Sequence, residues 1–120
     1  MTKQRALIYC IVTTSQEHLS AEQIYFLARQ QMPGIALATV YNNLNRLSRL
    51  GLIGRIALSG QPDRFDKNPA PHEHALCDCC GSLDDIADGS FFQVLQAHTQ
   101  LELTGYELTL HHLCSHCRKG

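Results

Sequence analysis

The residues best suited to chemistry crowd into positions 66–85, D-K-N-P-A-P-H-E-H-A-L-C-D-C-C-G-S-L-D-D. Cys77 and Cys80 form a C-x-x-C pair there, and Cys114 and Cys117 form a second. Two such pairs match a closed tetrahedral zinc site, a structural Zn2+ with four thiolates and no open position for a substrate. The competing reading is a redox protein using its C-x-x-C pairs. That chemistry expects one pair opening a helix after a strand, and two pairs in so short a chain speak against it. Cys79 and His116 lie inside the two knuckles and are read as non-ligands.

His72 and His74 bring a second chemistry. In an extended segment, residues two apart point the same way. Paired imidazoles beside carboxylates suit Fe2+, Mn2+, Zn2+ or Ni2+ rather than a thiolate-loving ion. His111 and His112 are further candidates, but adjacent strand positions face opposite sides, so a single site takes both only through a bulge.

The net charge of −1 looks unsuited to nucleic acid until the chain is divided. Residues 1–65 hold seven Lys/Arg against three acids, whereas residues 66–120 hold three against eight. A basic half that meets phosphates and an acidic half that collects cations fit this asymmetry. No apolar run approaches the length of a membrane span, and M-T-K-Q-R-A does not open a secretory signal. The expected location is therefore cytoplasmic, with no membrane partner. In that reducing setting, six cysteines read as metal ligands rather than disulfides.

The elements that must position these groups begin with a helix over residues 3–14, with Leu7, Ile8, Ile11 and Val12 on one stripe and Cys10 as a small core residue. Ser20 followed by Gln23 has the form of a capping box and opens a second helix that buries Ile24, Leu27 and Ala28 before Met32-Pro33-Gly34. A third helix over residues 37–50 carries Val40, Leu44, Leu47 and Leu50 inward and stops at Gly51. Its other face shows Thr39, Tyr41, Asn42, Asn45, Arg46 and Arg49 without a single acid, a set able to reach base edges and phosphates in a major groove. Residues 52–58 and 64–66 read as a hairpin whose Arg55 and Arg64 lie near the DNA backbone. Helix-helix-helix-hairpin is the order of a winged helix-turn-helix. The fold expected is α+β, with this DNA-binding domain over residues 1–66, a hinge at 67–71, and a small α/β zinc-containing dimerisation domain over 72–120. In the latter, residues 75–77 and 82–86 read as strands. Residues 89–103 read as a helix burying Phe91, Val94 and Leu95, and residues 106–113 as a strand.

A-T-V-Y-N-N-L at 38–44, G-L-I, R-F-D at 64–66, H-E-H-A-L-C-D-C-C-G at 72–81 and the later C-x-x-C together resemble the ferric uptake regulator family of bacterial metalloregulators. The likeness runs over nearly the whole chain and is strongest to the peroxide-sensing branch. It implies a regulatory metal held by His18, Asp66, His72, His74 and Asp85, with Asp84 a neighbouring carboxylate outside the set. Asp66, where the iron-sensing branch carries Glu, and Asp85 lean toward peroxide sensing. Pro71 and Phe92 stand where a further metal site of relatives has ligands.

The resemblance further implies a homodimer that binds palindromic double-stranded operator DNA as a repressor and is not an enzyme. It implies Fe2+ or Mn2+ at the regulatory site, with oxidation of His18 or His72 by peroxide ending repression; a zinc-, nickel- or iron-responsive uptake regulator is the alternative. The chain departs from its relatives in three places. It starts at Met1-Thr2-Lys3, where they carry a further basic helix, so either some phosphate contacts are expected to be missing or the sequence is shortened at this end. Ile35-Ala36 offers no capping side chain to the third helix, which predicts a frayed start at a cost of roughly 0.5–2 kcal/mol. The region before Cys114 is shorter, which alters the expected dimer geometry.

Overall fold

A computed structural model describes residues 2–69, 73–86 and 90–119. The chain divides into two compact units, Met1–Pro69 and Ala70–Gly120.

In the first unit, α1 (Lys3–Thr14) starts where the Thr2 hydroxyl accepts a hydrogen bond from the Arg5 N–H at 3.1 Å. Ile8, Ile11 and Val12 are buried and Leu7 packs against them. Cys10, expected inside, is exposed, because it falls on the side of the helix away from that stripe. After β1 (Leu19–Ser20), α2 (Ala21–Gln31) opens with a complete capping box between Ser20 and Gln23. Ile24 and Ala28 are fully buried, whereas Leu27 is 38 % exposed. The inward stripe of α2 runs through Ala21, Ile24 and Ala28, and Leu27 sits on its margin.

Helix α3 (Leu37–Arg49) begins at Ala36 without a side-chain cap. Val40, Leu44 and Leu47 fill the core between the three helices. Leu50, expected on the same stripe, is 58 % exposed because it is already the C-cap. The stop that follows is a Schellman motif. Gly51 takes φ +73°, its N–H donates to the Ser48 carbonyl at 3.1 Å, and the Leu52 N–H donates to the Leu47 carbonyl at 3.0 Å.

Strands β2 (Gly54–Ile56) and β3 (Arg64–Asp66) form the expected hairpin, shorter in its first arm. Strand β1 adds to the free edge of β3, giving the order β1-β3-β2 with Leu19 opposite Phe65. Phe65, 3 % exposed, ties this sheet to the helical core. Gly54 is required by a close approach, since a Cβ there would lie 2.6 Å from the Asn68 carbonyl oxygen.

In the second unit, β4 (His74–Cys77) is buried at every position because it is the central strand. It pairs antiparallel with β5 (Leu83–Asp85) and parallel with β6 (Thr109–His112). Helix α4 covers only Ser90–Ala97, short of the expected residue 103. The Gln96 side chain turns back to the Leu101 carbonyl and the Leu103 N–H, closing a loop where the helix would otherwise continue. Phe91 and Val94, expected inside, are 44 % and 50 % exposed. Helix α4 meets Tyr106 through two rings, Phe92 at 5.3 Å and Phe91 at 6.4 Å between centres. Tyr106 donates its hydroxyl to the buried Glu73 carboxylate, and burial together with that carboxylate pushes the phenol up to about 12. Helix α5 (Ser115–Arg118) follows Cys114. Among the described residues no helix is long and apolar enough to cross a membrane.

Candidate metal centres and nucleic-acid interface

The sulfur centre is built by chain geometry. Cys77 ends β4, and the turn after it closes with the Gly81 N–H on the Cys77 carbonyl and the Cys77 N–H on the Ser82 carbonyl, both at 2.9 Å. Gly81 takes φ +77° within this knuckle. Because β6 runs parallel to β4, it delivers Cys114 beside Cys77, whose sulfur accepts from the Cys114 N–H at 3.4 Å. Helix α5 then carries Cys117 back to the same place. All four sulfurs lie within 4.8 Å of one another, with Cys80 and Cys114 at 3.9 Å. Four thiolates at about 2.3 Å from one zinc ion stand about 3.8 Å apart, so the residues present fit that ion.

The thiols are prepared unequally. Backbone N–H groups, Cys114 first and Cys80 next, push the Cys77 thiol down to about 5. The Ser82 hydroxyl lowers Cys80. The neighbouring thiols, Cys114 first, push Cys117 upward. Such a set cannot carry four negative charges without a cation among them. Cys79 and His116 are exposed and outside the group. His111 is paired instead with the knuckle carboxylate of Asp78 at 2.7 Å.

The nitrogen and oxygen donors form a pair within each unit. In the first, pairing of β1 with β3 brings His18, just before β1, alongside Asp66 at the end of β3. His18 Nε2 lies 3.5 Å from Asp66 Oδ2, and both residues are largely shielded from solvent. The other oxygen of Asp66 accepts from the Asn68 N–H at 3.1 Å, which orients the carboxylate. In the second unit His74 stands opposite Asp85 across the β4–β5 ladder, with His74 Nε2 3.2 Å from Asp85 Oδ1. Two donors about 2.1 Å from one ion stand roughly 3.0–3.5 Å apart, and each pair has that spacing. His72 lies outside the described residues.

On the reading face, Tyr41, Asn42, Arg46 and Arg49 are exposed, while Thr39 and Asn45 are half-buried. Asn42, Asn45, Arg46 and Arg49 line an open cavity of about 740 Å³ together with Arg55. Thr39 and Tyr41 do not line it. Arg55 is tethered from three sides, donating to the Asn45 amide oxygen, lying 3.8 Å from Asp63 and resting 5.2 Å from the centre of the Phe65 ring. Sequence reasoning missed Arg5 and Asn43, which also line this cavity. The available signal was Asn43 standing beside Leu44 on the inward stripe, where a polar side chain needs a partner.

A three-helix core with a three-stranded wing, joined to a small sheet bearing a four-cysteine cluster, defines a winged-helix regulator with a metal-binding second domain. The ferric uptake regulator family model matches residues 1–117, and the chain belongs to that family. Its members are metal-responsive transcription regulators that bind DNA as dimers and hold structural zinc and regulatory metals. The chain is 30 % identical over 125 residues to the ferric uptake regulation protein of Bacillus subtilis, covering 98 % of this chain and 84 % of the relative. It is 29 % identical over 122 residues to the peroxide-responsive repressor PerR of Staphylococcus epidermidis, covering 99 % and 81 %. The Helicobacter pylori ferric uptake regulator superposes with a TM-score of 0.82 at 25 % identity, covering all of this chain and 83 % of that one.

Proposed function

We propose that this protein is a metal-dependent transcriptional repressor acting as a homodimer on palindromic operator DNA, its regulatory ion held by His18, Asp66, His72, His74 and Asp85. The observation that carries the reading is the pair of His–carboxylate couples, His18–Asp66 in the wing unit and His74–Asp85 in the sheet unit. Each couple by itself offers too few donors for tight binding. One ion shared by both would stabilise only the arrangement that brings the couples together, and that differential affinity is the whole switching energy. Cys77, Cys80, Cys114 and Cys117 would hold a structural zinc ion, leaving the nitrogen and oxygen donors for Fe2+ or Mn2+.

The sensed signal we assign is peroxide. Bound Fe2+ would supply the one-electron chemistry that splits hydrogen peroxide, with no net change in its own oxidation state. His18 or His72, which would hold it, would be the imidazole that gains one oxygen atom at a ring carbon in place of hydrogen, the second peroxide oxygen leaving as water. An oxidised ring would donate poorly, and the ion would be lost. Asp66, rather than the longer Glu, supports this reading by holding the carboxylate close to His18. The similarity to the Bacillus subtilis ferric uptake regulation protein favours a second reading, in which the same donors report on iron or another divalent ion without ligand oxidation. Zn2+ or Ni2+ would serve the same donor set.

Operator binding titrated with Fe2+, Mn2+, Zn2+ and Ni2+, with and without peroxide, separates the readings. Peroxide sensing requires that only the Fe2+ form loses DNA on peroxide treatment, with a one-oxygen mass adduct on a peptide containing His18 or His72. Loss of DNA binding with no adduct on either peptide contradicts ligand oxidation.

A further inference from the structure

The open cavity beside the reading helix is lined by guanidinium groups from separate elements, Arg5 from α1, Arg46 and Arg49 from α3, and Arg55 from β2. No Asp or Glu is among the described residues that line it, and only Arg55 of the four has a carboxylate close by, Asp63 at 3.8 Å. Gathering like charges into one concavity costs free energy unless an anion completes it. Arg46 and Arg49 are accounted for by the reading face and Arg55 by the wing, whereas Arg5 belongs to a helix whose other buried contacts are structural.

Arg5 is nevertheless held in place. Its Nε donates to Asn43 Oδ1 at 3.0 Å across α1 and α3. Asn43 is itself only 8 % exposed, and its amide nitrogen donates to the Thr39 carbonyl at 2.9 Å, which fixes the amide's orientation. That arrangement consumes one edge of the guanidinium and leaves the terminal nitrogens for a second partner. A buried amide spent on orienting a surface arginine is poorly explained by stability alone, because an apolar residue beside Leu44 would pack without any polar group to satisfy.

We infer that Arg5 is a contact to the DNA phosphate backbone and that Asn43 is its positioning residue, setting the guanidinium beside Arg46 and Arg49 before DNA arrives. The inference rests on the DNA-binding reading above and adds to it a phosphate contact from the first helix. Preorientation matters because an arginine already fixed in its working rotamer loses less freedom on binding. A phosphate contact is blind to sequence, so Arg5 adds affinity uniformly and steepens the salt dependence.

The test uses the full, metal-loaded chain and a palindromic DNA that the wild-type protein selects from a random pool. Affinity is measured between low and moderate salt for wild type, Arg5→Gln, Arg5→Lys and Asn43→Ala. Arg5→Gln is expected to weaken binding roughly tenfold at low salt. It should also flatten the slope of log K against log salt by about 0.9, the share of one phosphate. The loss should be equal on specific and non-specific DNA. Arg5→Lys should restore the slope and only part of the affinity. Asn43→Ala should weaken binding in the wild-type background and have no further effect once Arg5 is Gln. An Arg5→Gln protein with unchanged affinity and salt slope overturns the inference while leaving the repressor reading intact. If wild type selects no DNA in any metal state, the repressor reading fails and carries this one with it. Should Asn43→Ala prove unfolded by circular dichroism, the Arg5 variants alone decide.

Discussion

Residues set the chemistry through their immediate neighbours. The Cys77 thiol, pushed down to about 5 by the N–H groups of Cys114 and Cys80, is already a thiolate at neutral pH, whereas Cys117 is pushed upward and keeps its proton. Zinc loading of the stripped protein at pH 7 is therefore expected to release fewer protons than four ordinary thiols would, a number read by calorimetry in buffers of different ionisation heat. The advantage held by the Cys77 thiolate is present above the ordinary thiol range and is lost as pH falls through about 5, so zinc binding should weaken on acidification. Release of four protons per zinc at pH 7 would contradict this. His74→Ala should abolish binding of Mn2+ while leaving zinc content and fold unchanged, because His74 faces Asp85 and takes no part in the sulfur cluster. Metal analysis after dialysis against Mn2+ reads both. Much of this scale was legible in the sequence. C-x-x-C spacing is local and carries its own geometry, so the four cysteines that cluster could be named outright. His18, Asp66 and Asp85 were reachable only through the family resemblance, since strand pairing, not spacing, brings His18 beside Asp66. The Arg5–Asn43 bond joins residues far apart in the chain and left only the trace of a polar residue on an apolar stripe.

At the scale of elements, periodicity located the three helices of the first unit and the capping box of α2 almost to the residue. Misplaced residues had separate causes: Leu27 sits on the margin of its stripe, where a turn of about 100° per residue leaves a side chain between core and solvent, Cys10 faces away from its stripe, and Leu50 is already the C-cap. Strand β1 escaped notice because two residues carry no pattern, and α4 ends early where the Gln96 side chain bonds the backbone of the following loop. Helix α3 keeps the uncapped start that its sequence foretold. Ala36 already has extended backbone angles, φ −92° and ψ 151°, so Ala36→Ser is expected to stabilise the protein by about 0.5–2 kcal/mol in denaturant unfolding. Gly54→Ala should act in the opposite direction by roughly 1–3 kcal/mol, because its Cβ meets a backbone oxygen at 2.6 Å that no side-chain rotation relieves.

At the scale of the whole molecule, the second unit carries apolar side chains that it does not cover. Phe91, Val94, Leu110 and Leu113 are each close to half exposed, and β6, which bears Leu110, is an edge strand. A second copy of the chain is the occupant our reading assigns to this surface. Leu110→Lys is accordingly expected to yield a folded monomer in sedimentation, and weakened operator binding with it. In the proposed function, dimerisation would set two reading helices on one DNA, and the regulatory ion would decide whether their spacing fits two half-sites. Metal control of DNA affinity through the proposed His and Asp donors is therefore the central expectation. The measurement that bears on it most directly is the affinity for selected palindromic DNA, at constant zinc content, as Mn2+ is added to wild type and to His74→Ala. We expect Mn2+ to tighten binding by wild type at least tenfold, a coupling of about 1.4 kcal/mol, and to leave the variant unchanged. Equal affinity of the wild-type protein before and after its regulatory ion is removed would contradict the account.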